Sequence, residues 1–271
     1  LAIIQMIEAQ NLQHLKFGTS SAETLTVSFW VKSNKTGTYI VEIYQWDSNR
    51  AISKSYTINS ADTWEKKTIT IEGDTSGQID NNNDRGFQVA WWIAAGSNNT
   101  SGTLQTSWGT LTSANRAVGQ VNLADSTSNY INITGVQLEV GDTATPFEVM
   151  PYDMQLARCQ RYYTNVIHLQ WCGAVYTPNG DTRTQVLPIG TMRASPTLNP
   201  SSYSAHSINL GANGNAVNTP TATWNLSVVH AGNNHYSIDT NQNGTVSYAS
   251  ATSVAIVGPH GAGTITCDAE L

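Results

Sequence analysis

The 271-residue chain carries 13 Lys and Arg against 19 Asp and Glu, a net charge of -6, and only 12% of its residues are charged. A chain of this length can bury one large core or two ordinary ones. With no basic field to hold a phosphate backbone it is not built for nucleic acid, and with no apolar run near the roughly 18 residues that span a bilayer it is not expected to insert in a membrane.

Eight Trp and eleven Tyr among many Thr, Ser, Asn and Gly describe β-sheet with polar turns. Residues 1 to 17 follow no single period and read as either an edge strand or a short helix. From Thr24 the period is two: Leu25, Val27, Phe29 and Val31 alternate with Thr26, Ser28, Trp30 and Lys32. After Lys35-Thr36-Gly37, Tyr39, Val41 and Ile43 share one face, Glu42, Tyr44 and Trp46 the other, and Ser48-Asn49 turns the hairpin. Further strands are expected at about 50–58, 63–72, 86–95, 118–123 and 130–140. In the last, Val136, Leu138 and Val140 face one way and Gln137 and Glu139 the other.

Gly141, Asp142, Pro146 and Pro151 then turn a corner, and Asp153 is placed to cap a short helix at about 153–161. Beyond it the composition shifts. Residues 151–271 contain no lysine, four arginines, five acids and five of the six histidines. Shorter strands are expected at about 166–177, 182–188, 203–210, 222–230, 234–239, 245–250, 252–257 and 263–269, with loops such as Gly211–Asn215 and Asn241–Gly244 between them. The fold expected is all-β: a jelly-roll-like β-sandwich over residues 1–150, followed by a second, smaller all-β domain over 151–271, the two joined by the short helix.

Cys159, Cys172 and Cys267 are odd in number and widely spaced, so they form neither a disulfide framework nor a zinc motif and read as buried thiols. Leu1 stands where an initiator Met would, and LAIIQMI lacks the basic flank of a signal peptide, so the start reads as an interior point of a longer polypeptide.

Sugar rings are bound by stacking their C–H faces on Trp and Tyr while polar groups take the hydroxyls. In the run from Phe87 to Ile93 the apolar phase places Trp91 in the core and Trp92 on the opposite face. By the same count Trp30, Tyr44 and Trp46 point outward. Together with Trp92 they form a candidate glycan platform on one sheet face, the alternative being that loops, the second domain or a neighbouring subunit cover them. A second candidate is the loop from His230 through Asn233, Asn234 and His235 to Tyr236, which sets amides and imidazoles beside an aromatic ring.

Metal and catalytic readings are weaker. Asp239–Gly244 matches the first half of a calcium loop but has Ser250 at its twelfth position, and Asp80–Gly86 has Arg85 where the loop needs Gly. His230 and His235 have no third ligand at a recognisable spacing. No GxSxG, HExxH or phosphate loop occurs, and no cofactor is expected. Asp47 and Asp84 are the acids nearest the aromatic candidates, as a glycan depolymerase would require of a carboxylate pair.

The blocks LTVSFWVKS, TWEKKTITIEGDTSG and ITGVQLEVGDTATPFE, the CQRYY run and the closing AEL occur in this order. In this combination the chain resembles the carboxy-terminal region of tailed-bacteriophage tail fibres and tail-associated structural proteins. The resemblance implies a carbohydrate-binding-module-like first domain, a homotrimer, contact with other phage tail or baseplate proteins, a place in the virion, and recognition of bacterial surface glycan. A purely structural connector or decoration role stands as the alternative.

Overall fold

The computed structural model describes residues 1–167 and, beyond them, 192–193 and the strand segments named below. The chain divides into two compact units, Leu1–Val149 and Met150–Glu270.

The first unit is a β-sandwich of two antiparallel sheets. Its strands are β1 (Ala2–Glu8), β2 (Leu25–Ser33), β3 (Gly37–Gln45), β4 (Arg50–Ile58), β5 (Glu65–Ile71), β6 (Arg85–Trp92), β7 (Gly109–Thr110) and β8 (Ile131–Val140). One sheet runs β1-β6-β3-β4-β7 and the other β5-β2-β8. The period-two pattern explains the core between them. Leu25, Val27, Phe29 and Val31 of β2 meet Tyr39, Val41 and Ile43 of β3 and Phe87, Val89 and Trp91 of β6, all of them buried. Each such side chain contributes roughly 1.5–3 kcal/mol of burial. Phe29 sits at the centre, edge-on to Tyr56 at 5.1 Å and to Trp91 at 5.7 Å between ring centroids.

Residues 1–17 resolve into strand β1 followed by a 3-10 turn, Ala9–Leu15, which buries Ala9, Leu12 and Leu15. The strand expected at about 118–123 is absent. That stretch belongs to an irregular strap over residues 93–123, held by single bonds such as Val121 N–H to Thr38 O and Leu123 N–H to Ile93 O. Gly119 at φ +86° turns the chain out of any extended run there.

The middle of the strap, with Ala95, Leu104 and Ala117, lies on the outward face of the five-stranded sheet, whereas Ile93, Trp108, Val121 and Leu123 pack with the inner core. Arg116 carries the fastening: Nε and Nη2 donate to Glu42 Oε1 and Oε2 at 2.8 and 2.7 Å, and Ser53 Oγ donates to the Arg116 carbonyl. Glu42 is fully buried, so removing its guanidinium partner costs about 3–5 kcal/mol.

In the second unit a nine-residue helix, Tyr152–Gln160, precedes ten strands among the described residues. Pro151 holds the N-cap position and Asp153 falls within the first turn, so Asp153 favours the positive end of the helix without capping it. Cys159 is exposed, contrary to the buried thiol expected, because the helix buries none of its residues.

The strands are β9 (Tyr163–Ile167), β10 (Trp171–Val175), β11 (Thr182–Val186), β12 (Thr197–Pro200), β13 (Ser207–Ala212), β14 (Asn215–Asn218), β15 (Trp224–Gly232), β16 (His235–Gln242), β17 (Val254–Gly258) and β18 (Thr264–Asp268). They form a seven-stranded sheet, β14-β13-β17-β10-β11-β16-β15, and a three-stranded one, β12-β18-β9. The single strand expected at about 166–177 is two, β9 and β10, and the one expected at about 245–250 lies outside the described residues. Among the described residues no helix is long and apolar enough to cross a membrane.

Candidate functional site

The four outward aromatics of the first unit do not share a face. Trp30 stands on β2 in the three-stranded sheet, whereas Tyr44, Trp46 and Trp92 belong to β3, its following turn, and β6 in the other sheet. In a sandwich the two outward faces look away from each other, so alternation within each strand cannot join them.

On the five-stranded sheet the rings are already engaged. Trp92 is 8% exposed, its Nε1 donates to Glu42 Oε2 at 3.2 Å, and the strap covers it with Ala95, Leu104 and Ala117. The Arg85 guanidinium lies 3.9 Å from the Trp46 ring centroid, and Tyr44 packs against the same indole at 4.9 Å while its hydroxyl donates to Asn49 Oδ1. Nearby, Asp47 Oδ2 accepts the Asp80 amide. Burial raises the Asp47 carboxyl above its ordinary range, with the Asp80 and Asp84 charges adding to the effect. Asp84 N–H donates to Asn82 Oδ1 within its own turn.

The three-stranded sheet presents a more open face. Trp30 is 41% exposed and Trp64, just before β5, is 42% exposed. Trp30 is paired with Lys66 across β2 and β5, and Val31 with Glu65. The strands therefore place two Trp-x-Lys triplets, Trp30-Val31-Lys32 and Trp64-Glu65-Lys66, side by side in opposite directions. The Lys32 ammonium lies 5.5 Å from the Trp64 ring centroid and 6.0 Å from that of Tyr130.

Local structure fixes each ring. Under Trp30, β8 carries a bulge at Gly135, φ +58°, where the register with β2 shifts. A Cβ on Gly135 would stand 3.4 Å from Trp30 Cδ1 and 4.0 Å from Phe147 Cδ2, ordinary contact distances, so it is the left-handed backbone of the bulge that calls for glycine beneath the indole.

Trp64 ends a turn gathered by one carboxylate. Glu65 accepts from the Asn59 and Ser60 amides, both at 2.8 Å, from Asn59 Nδ2 at 2.9 Å and from Lys67 Nζ at 2.5 Å. The bond from Lys67, and then those from the turn, hold its carboxyl down at about 2. Tyr130 is anchored by donating its hydroxyl to Asp62, and that bond raises the phenol above its ordinary value.

Sequence reasoning found Trp30 and missed Trp64, Tyr130 and both lysines as parts of one surface. The repeated Trp-x-Lys triplet was the available signal. It gains meaning only once the two strands are known to be neighbours.

The second candidate set changes character. His230 lies in β15, and His235 and Tyr236 in β16, with His230 paired to Ser237 and Gly232 to His235. The pairing makes His230, His235 and Tyr236 strand residues in place of the loop expected. Asn233 and Asn234 lie outside the described residues. Asp239 to Gln242 are likewise strand, paired with β15, where a calcium loop was weighed. No family model, curated protein or solved structure matches the chain.

Proposed function

We propose that the chain is a virion tail-fibre or tail-associated structural protein that recognises glycan on the bacterial surface, working as a homotrimer. The observation that supports this best is the outward face of the three-stranded sheet, where two indoles, each about two-fifths exposed, stand on paired strands with a phenol beside them. Exposed Trp rings held by the backbone stack on sugars with little entropy left to lose, whereas those of the other sheet are capped by Arg85 or by the strap. Glycan-array and whole-cell binding by the intact chain test the reading. Trp30→Ala and Trp64→Ala should each weaken binding about tenfold or more, as loss of a stacked aromatic anchor does, and Trp92→Ala should act through stability alone. Equal binding by wild type and both surface variants would remove this face from the proposal.

A structural connector is the second reading, favoured by a different observation. Phe147 and Val149 in the first unit, and Tyr152, Met154 and Leu156 in the helix of the second, are exposed apolar side chains of the kind that subunit contacts cover. Light scattering that gave a stable monomer at micromolar concentration would count against the homotrimer in either reading. Release of reducing sugar would instead direct attention to Asp47 and Asp84.

A further inference from the structure

The first unit contains all six lysines of the chain. Four of them are neutralised: Lys16 by Glu23, Lys35 by Asp125, Lys54 by Glu72 and Lys67 by Glu65. Among the described residues the two left without a carboxylate within ion-pair distance are Lys32 and Lys66. Both belong to the Trp-x-Lys triplets, and so to the same open face. Of the acids near this face, Asp62 is occupied by the Tyr130 hydroxyl, and Glu139 is held chiefly by Thr145, with Lys66 acting on it only at longer range.

A chain that pairs its other lysines yet leaves these two among exposed aromatic rings has a surface complementary to a ligand with both a C–H face and an anionic group. A neutral sugar would use the rings and leave both ammoniums to water. An acidic sugar uses both, since its ring can lie on Trp30 while its acid oxygens accept from Lys32 and Lys66.

We infer that the paired Trp-x-Lys triplets form a subsite for an acidic sugar, one carrying a carboxylate or a phosphate. This rests on the glycan reading above and narrows it to a chemical class. The cation–π contacts with Trp64 and Tyr130 hold the Lys32 ammonium over the sheet, so the site is partly organised before any ligand arrives.

The test uses the full chain with three probes: a uronic-acid polymer, the same polymer with its carboxyls reduced to alcohols, and a sugar polymer joined by phosphodiesters. Binding is measured for wild type, Lys32→Gln, Lys66→Gln and Lys16→Gln. The last removes an equal charge from an exposed pair on another element. Each lysine variant on the face should lose about tenfold in affinity for an acidic polymer and change little toward the reduced one, as loss of a charge-assisted hydrogen bond implies. Lys16→Gln should match wild type, and unchanged thermal midpoints would confirm that the variants fold. The polymer whose binding depends on the lysines identifies the acid group.

Equal affinity for the acidic and reduced polymers, or equal losses in Lys16→Gln, would overturn the acidic subsite while leaving glycan recognition in place. Absence of binding to all three would overturn the glycan reading and the subsite with it.

Discussion

Glu65 shows how one side chain reaches the candidate site without touching a ligand. Its carboxylate gathers the Asn59 and Ser60 amides and Lys67, and so closes the turn that ends at Trp64. The same contacts hold its pKa at about 2, against an ordinary 4.5. The unfolded chain therefore binds the proton more readily than the folded one, and the contribution to stability is fully present above pH 4.5 and is lost as pH falls toward 2. Glu65→Gln keeps the shape and removes the charge. It should cost about 1 kcal/mol at neutral pH, allowing for solvent screening of the pair. The gap between wild type and variant should close between pH 4.5 and 2.5 in denaturant unfolding. A gap that stays constant with pH would show that the charge is not what holds the turn. Because Glu72, Asp125 and Glu139 also titrate below their ordinary values, the difference between the two proteins carries the information and the wild-type slope does not.

Strand β8 makes the corresponding case for a whole element. Its inward residues are Ile131 and Ile133 before the bulge and Leu138 after it, so the phase changes from odd to even at Gly135. That change allows Val31 to pair with Ile133 and Val27 with Leu138 in a single sheet, with the bulge lying beneath Trp30. Gly135→Ala forces a side chain into a left-handed backbone, which costs about 1–2 kcal/mol and strains the bulge that lies beneath the indole. It should lower stability by that amount and weaken sugar binding with it. Gly96→Ala, where a Cβ meets nothing within 4 Å, should be neutral in both measurements. Loss of stability with full retention of binding would separate the bulge from the site. Alternation in the sequence was enough to place Leu25 to Val31, Tyr39 to Ile43 and Trp91 in the core, because a half-buried strand writes its burial into every second residue. It could not say which strands are neighbours. The pattern therefore groups Trp30 with Tyr44, Trp46 and Trp92 across the sandwich, whereas its neighbours in the sheet are Lys66 and Trp64. Nor does periodicity report the strap, whose backbone bonds are isolated rather than laddered and reach residues as distant as Thr38, and whose Arg116 finds Glu42 across 74 residues of chain.

At the level of the whole molecule, the first unit has what an independent domain needs. Its principal core of buried side chains is supplied entirely by residues between Ala9 and Leu123, and both of its sheets are made from its own strands. A sandwich of about 150 residues lies near the commonest domain size and buries about two-thirds of the surface its unfolded chain would expose. The Trp-x-Lys face belongs wholly to this unit, since Trp30, Lys32, Trp64, Lys66 and Tyr130 all precede Val149. A fragment spanning residues 1–149 should therefore unfold in one cooperative step and bind the same acidic sugar with the affinity of a single site. The 271-residue chain should bind a multivalent cell surface more tightly than the fragment, by the gain in effective concentration that several linked sites provide. Calorimetry on the fragment and adsorption measured side by side for the two proteins decide the matter. A fragment that folds but binds no sugar would place recognition elsewhere in the chain. Equal adsorption by the fragment and the 271-residue chain would remove the need for a trimer in host recognition.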